Sequence, residues 1–271
     1  MDVGEWRKAE RAYKVFLKEH ENAPFELKAS AWHAIGQCRR RRGNALKAME
    51  AFSQSVKEDG PERYWTKESA RLAEEIGTKE MELWQEGALD GPLKSNRRQR
   101  ALETMEMAVR LAPYGACGDK LQYLVGTIHM KRRSWTEAKS TFEQLLLSYP
   151  YSELRDDSYW RLCEIEYAQT RSFQYDQGRT ALALNKLSDF LSTYTESPYI
   201  QQALEMKKEL LDREAHQAYS TAAFYEKRKE FEAARLSYSR LASRYPRTSW
   251  AEKATQRLAL LEERVEEERN D

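Results

Sequence analysis

The residues with chemical reach are scattered along the chain. The four histidines, His20, His33, His129 and His216, lie far apart. None sits in a His-Glu-x-x-His pair or a Cys/His array with ligand spacing, so the sequence predicts no metal site. Cys38, Cys117 and Cys163 are odd in number, include no Cys-x-x-Cys pair, and read as small core fillers among apolar helix residues. No glycine-rich phosphate loop and no Gly-x-Ser-x-Gly elbow occurs. The carboxylate pair Asp156-Asp157 falls near a predicted helix N-terminus, where the helix dipole favours negative charge. The dense basic run Arg39 to Arg42 falls at a predicted helix C-terminus, where cations offset the dipole. With 45 basic and 44 acidic residues there is no basic excess of the kind that phosphate neutralisation exploits. The expectation is a chain with no catalytic residues, no metal, no cofactor and no nucleic-acid partner: not an enzyme.

What remains is pattern. A third of the 271 residues are charged, no long Val/Ile run appears, and 15 Tyr and 7 Trp supply side chains with an apolar body and a polar tip. The longest aliphatic stretches, such as Leu145 to Leu147, are far too short to span a bilayer. The opening residues Met1, Asp2 and Glu5 do not read as a signal peptide, and localisation is not readable from this terminus. The segments WTEAKSTFEQLLLSYP (Trp135 to Pro150) and FEAARLSYSRLASRYP (Phe231 to Pro246) share one frame. Each has an aromatic at i, Ala at i+3, an aromatic at i+7 and Tyr-Pro at i+14 and i+15. Partial copies follow at Trp6, Ala9, Tyr13; at Ala45, Ala48, Phe52; at Arg98, Ala101, Met105; and at Thr180, Ala183, Leu187.

The frame has a physical cause. Positions i, i+3 and i+7 share a helix face. A small residue at i+3 lets a partner helix approach, a large one at i+7 fills the space beyond, and proline ends the helix. These are features of the second helix of a tetratricopeptide unit. The first helices are predicted between them: Lys28 to Arg41 with Ala31, Ile35 and Cys38 on one side, Lys120 to Arg132 with Leu121, Val125 and Ile128, and Tyr159 to Tyr167 with Trp160 and Cys163. Two first helices are predicted to be long, about 62–86 and 198–228. The copies start 37 to 53 residues apart, against a period of about 34 in plain arrays; an insertion at Ser172 to Gly178 takes up part of the excess. The expected fold is all-α, a tetratricopeptide-like α-solenoid of antiparallel helix pairs with about twelve helices. Residues 1–73 form N-terminal repeats, and residues 74–271 continue the same solenoid.

From Ala112-Pro-Tyr-Gly115 onward the order of motifs is more specific. WTEAKSTFEQLLLSYP is followed by SYW at Ser158 to Trp160, an Asp176-led insertion, and SPYIQQAL from Ser197. Then come LLDREAHQAYSTAAFYEKRKEFEAA from Leu210 and RYPRTSWAEKATQRL from Arg244. Over roughly residues 74 to 260 this order resembles the BamD-like family of outer-membrane assembly lipoproteins. The resemblance implies a non-catalytic scaffold at the periplasmic face of the outer membrane, touching the membrane only through a lipid anchor or a partner. It implies that the C-terminal repeats dock the barrel-forming subunit, BamA in that family, and that the N-terminal repeats receive unfolded barrel substrates. It places Arg228, the arginine of the Tyr225-x-x-Arg segment, on the docking surface, with Tyr225 and Glu214 of the same helix as further partner-binding residues. The alternative is a tetratricopeptide adaptor of another periplasmic or cytoplasmic complex.

Overall fold

Helices form where the spacing predicts them. The computed structural model describes residues 3–89, 94–172 and 177–270, with the backbone alone at 171, 172, 177 and 262–270. Twelve helices and no strand occur among the described residues. They are α1 (Val3–Glu19), α2 (Phe25–Arg41), α3 (Ala45–Glu58), α4 (Tyr64–Gln85), α5 (Lys94–Leu111) and α6 (Gly118–Lys131), then α7 (Trp135–Ser148), α8 (Arg155–Ser172), α9 (Gln177–Thr193), α10 (Ile200–Lys227), α11 (Phe231–Arg244) and α12 (Ser249–Asn270). The two long first helices are α4 and α10. Most of the predicted insertion at Ser172 to Gly178 lies outside the described residues.

The odd-numbered helices carry the repeat frame. Ala48, Ala101, Ala138, Ala183 and Ala234 are buried, and the large residues four positions on, Phe52, Met105, Phe142, Leu187 and Tyr238, are fully so. The helices stop before the prolines: α3 before Pro61, α5 before Pro113, α7 before Pro150 and α11 before Pro246. The α1 copy is looser, with Ala9 half-buried and Tyr13 40% exposed.

Phe52, Phe142 and Tyr238 each have a small residue sixteen positions earlier, on the preceding helix. A Cβ placed at Gly36 would lie 2.5 Å from the Phe52 ring, and one at Gly126 would lie 2.7 Å from the Phe142 ring. Ala222, fully buried, stands at the same offset from Tyr238 and joins it in one core cluster. Tight helix approach therefore depends on paired small residues, one on each helix of the pair.

The chain divides into two compact units, Met1–Leu162 and Cys163–Asp271, with the boundary inside α8. In the first, each helix from α1 to α6 packs on the next, and α2 on α4, α3 on α5, and α4 on α6. Phe52, Leu72, Ile76, Met105, Leu121 and Val125 lie in its core. In the second, α9 to α12 pack in succession and α10 also touches α12, around Ala215, Ala222, Ala234, Tyr238, Leu241 and Leu261. Contact with the next helix and the one after is the packing of a helical-repeat stack, in which each pair buries its apolar face on its neighbours.

The buried alanines give a direct check of this register. Ala138→Leu or Ala234→Leu is expected to overpack its helix pair and cost about 1–3 kcal/mol. Ser140→Leu, on an exposed position of α7, is expected to be near neutral. Chemical unfolding of the three variants measures the difference, and equal midpoints for Ala138→Leu and wild type would contradict the frame.

The basic run at the end of α2 does more than offset a helix dipole. Arg39 donates through Nε to Glu10 Oε1 at 3.0 Å and through Nη1 to the Lys47 carbonyl at 2.8 Å. Arg42 donates to the other Glu10 oxygen, and Arg40 pairs with Glu75 of α4. Lys14 reaches Glu10 at 2.8 Å. One buried carboxylate thus ties α1 to the end of α2. Burial opposes its ionisation, but the hydrogen bonds and charges of Lys14 and Arg39 outweigh that and hold its pKa below the ordinary value.

Candidate functional site

Three of the histidines and two of the cysteines are engaged in packing or side-chain pairing. His33 is buried between the Phe52 and Trp65 rings, its Nδ1 3.0 Å from Ser69 Oγ and its Nε2 2.9 Å from Gln37 Nε2. The Gln37 amide donates, so Nε2 accepts and Nδ1 carries the proton. Burial lowers the His33 pKa and keeps the ring neutral. His129 pairs with Glu106 at 3.0 Å, and His216 stacks on Trp250. Cys38 and Cys163 are core residues, and burial pushes the Cys163 thiol up to about 12. Asp156 and Asp157 sit in the first turn of α8. Among the described residues no cluster of His, Cys, Asp and Glu suits a metal ion, and no helix is long and apolar enough to cross a membrane.

The three residues predicted to bind a partner all lie on or next to α10, but the structure brings only two of them together. Tyr225 and Arg228 stand at its C-terminal end. Glu214 lies eleven residues before Tyr225, roughly 16 Å away along the axis at the α-helical rise.

At the helix end, Arg228 is the C-cap residue, and its backbone N–H bonds the Phe224 and Tyr225 carbonyls. Its guanidinium lies 5.5 Å from the centroid of the Phe224 ring, itself 53% exposed. Tyr225 meets the same ring edge-on at 5.8 Å and packs its other side against the core of the second unit. Arg228 is not waiting unpaired for a partner carboxylate: its Nε donates to Glu230 at 2.8 Å. Both side chains stay more than two-fifths exposed, so the pair is screened by solvent and exchangeable. Lys229 follows in a left-handed conformation, φ 62°, and the Glu230 N–H returns to the Tyr225 carbonyl at 3.0 Å.

Just beneath this corner lies a polar anchor. Glu226, almost buried, accepts from the Tyr238 hydroxyl at 3.0 Å and pairs with Arg257 of α12. The Glu226 hydrogen bond raises the Arg257 pKa, while burial and then Glu226 raise that of Tyr238. Three helices therefore hold the corner in place, and Phe224 and Arg228 project from a rigid base. Phe224 was the residue hardest to find from sequence, because its neighbour Tyr225 looks equally apolar; only rotational position on α10 separates the exposed ring from the packed one.

Glu214 has another setting. Its Oε2 accepts from the Tyr245 hydroxyl at 3.0 Å, and burial followed by this carboxylate's charge pushes the phenol up to about 12. The pair lies in a cleft of about 500 Å³ between α9, α10 and α11, with Arg240 and Arg244 on one wall and Ala218 and Leu241 at its base. The tyrosine of the Tyr-Pro terminus thus reaches back to the preceding even-numbered helix, 31 residues earlier. In the first unit Tyr149 does the same with Gly118, where a Cβ would meet its hydroxyl at 1.7 Å. Glu214 occupies the position that Gly118 leaves open.

An all-α stack of antiparallel helix pairs, with an exposed aromatic-cationic corner and an open polar cleft, defines a tetratricopeptide-like protein-interaction scaffold. The chain matches the model of the YfiO family, described as outer membrane lipoprotein, over residues 78–258, and it belongs to that family. No curated protein matches it. Among solved structures, a tetratricopeptide repeat protein from Parabacteroides merdae ATCC 43184 is 14% identical with 95% of this chain and 93% of that chain covered, at a TM-score of 0.28. BtubC from P. vanneervenii is 11% identical, with 89% and 88% covered and a TM-score of 0.30. The assembly chaperone of RpL4, Acl4, is 13% identical, with 98% and 93% covered and a TM-score of 0.24. At these scores the superpositions define no common architecture.

Proposed function

We propose that the chain is a non-catalytic subunit of an outer-membrane β-barrel assembly machine, held at the periplasmic face of the outer membrane. Its C-terminal repeats dock the periplasmic region of a barrel-forming, BamA-like subunit, and its N-terminal repeats receive unfolded barrel chains. Membership of the outer membrane lipoprotein family supports the setting. The observation that carries the docking site is the corner between α10 and α11. There an exposed Phe224 ring carries the Arg228 guanidinium on a base fixed by Glu226, Tyr238 and Arg257.

The corner suits docking for three reasons. An aromatic and an arginine are the side chains most often found as interface anchors. The rigid base limits the ordering cost of binding. The Glu230 partner of Arg228 is exposed enough to be exchanged for a carboxylate on the incoming surface. Tyr225 fixes the Phe224 ring from behind rather than making the contact itself, and Glu214 orients Tyr245 in the neighbouring cleft.

Arg228→Glu separates docking from folding. The isolated protein is expected to lose no more than about 1 kcal/mol, because the Arg228–Glu230 pair is exposed. The complex with the purified periplasmic region of the barrel subunit is expected to weaken by about 2–5 kcal/mol, as a charge pair becomes a like-charge clash. Arg235→Glu, which removes a comparable exposed pair with Glu232 on α11, is the control and should leave binding unchanged. Calorimetric titration at two salt concentrations measures both. Equal affinity for wild type and Arg228→Glu removes the corner from the interface, and no binding at all by wild type favours an adaptor of another complex.

A further inference from the structure

The cleft between α9, α10 and α11 carries two arginines that have no carboxylate partner among the described residues. Arg240 and Arg244 stand four residues apart on α11, so their side chains leave one helix face about 5–6 Å apart. Arg235 of the same helix is paired with Glu232. Arg240 meets no such partner, and Arg244 rests on the Tyr245 ring, its guanidinium 5.4 Å from the centroid. Glu214, the single carboxylate lining the cleft, takes the Tyr245 hydroxyl and pairs with neither arginine. Two cations against one anion leave the lining net positive.

The rest of the cleft suits an extended chain. Gln217 and Thr221 on the facing wall offer donors and acceptors to the peptide groups that an extended segment leaves unpaired. Ala218 and Leu241 form an apolar base, and on the α9 side the lining residues are the small Gly178 and Ala181. Glu214, Gln217 and Thr221 fall at i, i+3 and i+7 of α10, as do Ser237, Arg240 and Arg244 of α11. Each wall therefore runs two turns, about 10 Å. That length takes about three residues of extended chain. Alternate side chains of such a chain share a face and stand about 6–7 Å apart, close to the spacing of the two arginines. Two carboxylates separated by one residue can thus reach both.

We propose that this cleft binds an extended acidic segment of another protein, with carboxylates at alternate positions paired to Arg240 and Arg244. Charge complementarity selects this occupant. An apolar segment would strip water from both guanidiniums, Gln217 and Thr221 and give nothing back. The site is separate from the corner of Phe224 and Arg228, and its test uses no barrel subunit, so the outcome is independent of docking there.

Fluorescence polarisation of the full chain with a labelled, C-terminally amidated Ala-Glu-Ala-Glu-Ala peptide tests it. The wild type is expected to bind, more weakly as salt rises. The Ala-Gln-Ala-Gln-Ala counterpart should not bind. Arg240 and Arg244 are exposed, so Arg240→Ala and Arg244→Ala should leave the circular dichroism melting curve unchanged while weakening the peptide about fivefold each, the scale of a solvent-exposed charge pair. Arg235→Ala, outside the cleft, should bind as wild type does. Thr221→Trp, which fills the cleft and leaves both arginines in place, should abolish binding. No binding by the wild type, equal binding of the glutamine peptide, or equal losses for Arg235→Ala and Arg240→Ala would overturn the proposal. So would undiminished binding by Thr221→Trp, which would put the peptide on open surface. Binding of the glutamine peptide only when its C-terminus is a free carboxylate would also overturn it, because the ligand would then be a chain end and not an acidic segment.

Discussion

Glu10→Gln is expected to destabilise the first unit by about 3 kcal/mol, the lower end of the cost of breaking a buried ion pair. The size of the effect follows from what is left behind. The side chains of Arg39 and Arg42 are 14% and 18% exposed, and both direct their charge to Glu10. Arg39 keeps the Lys47 carbonyl and a longer contact to Glu50 at 3.7 Å, which moderates the loss. Glutamine matches glutamate in shape and can accept a hydrogen bond, so the variant isolates charge from packing. The pH dependence has a definite sign. The folded-state pKa of Glu10 lies below its unfolded value. Its contribution is therefore complete above the ordinary glutamate pKa of about 4.3 and is lost as pH falls through the folded value. The difference between wild type and Glu10→Gln should be constant from neutral pH down to about 5 and should close below about 4. Because α1 packs chiefly on α2 among the described residues, amide hydrogen exchange in α1 should rise first. A gap that persists unchanged into acid would mean that Glu10 acts through packing.

Local physics governed how much of this could be read from sequence. Helices α7 and α11 were legible because their bounding and packing residues, an aromatic, an alanine, a second aromatic and a proline, fall within sixteen consecutive positions, and the other odd-numbered helices because they keep part of that frame. The length of α10 was legible because no proline or glycine interrupts it. Its even-numbered counterparts were harder. Gly36 and Gly126 look like isolated helix-weakening glycines until the aromatic sixteen residues on is known to sit on them, and Ala222 serves the same purpose without standing out at all. The bond between Glu10 and the Arg39–Arg42 run spans 29 and 32 residues. It depends on which face of α1 meets the end of α2, which no local signal fixes. At the candidate site, the exposed position of Arg228 followed from the helix end. Its pairing with Glu230 did not, because that contact exists only once Lys229 turns the chain through a left-handed conformation. The family resemblance grouped Glu214 with Tyr225 and Arg228, and the axial rise of the helix separates them.

The coupling between Gly126 and Phe142 gives the sharpest test of the paired-small-residue architecture. Phe142 is fully buried and meets the Tyr123 ring at 5.7 Å. Phe142→Ala should therefore cost about 3–5 kcal/mol through lost burial and the cavity left behind. Gly126→Ala has two opposing effects. A methyl group adds about 1 kcal/mol of helix propensity. It also brings Cβ within 2.7 to 3.0 Å of three atoms of the Phe142 ring, which is fully buried and has little room to retreat. Overpacking of a closed core costs about 1–3 kcal/mol, so the net change in the wild-type background is destabilising. In the Phe142→Ala background the ring is gone, the clash disappears, and the added methyl group fills part of the cavity. The same substitution should then stabilise, by about 1 kcal/mol. A change of sign between two backgrounds is a coupling that independent sites do not produce. Urea unfolding of the four proteins, followed by amide exchange in α6 and α7, measures it. If Gly126→Ala stabilises both backgrounds equally, Gly126 does not seat Phe142, and the close approach of helix pairs in this chain must rest on the alanines of the odd-numbered helices alone.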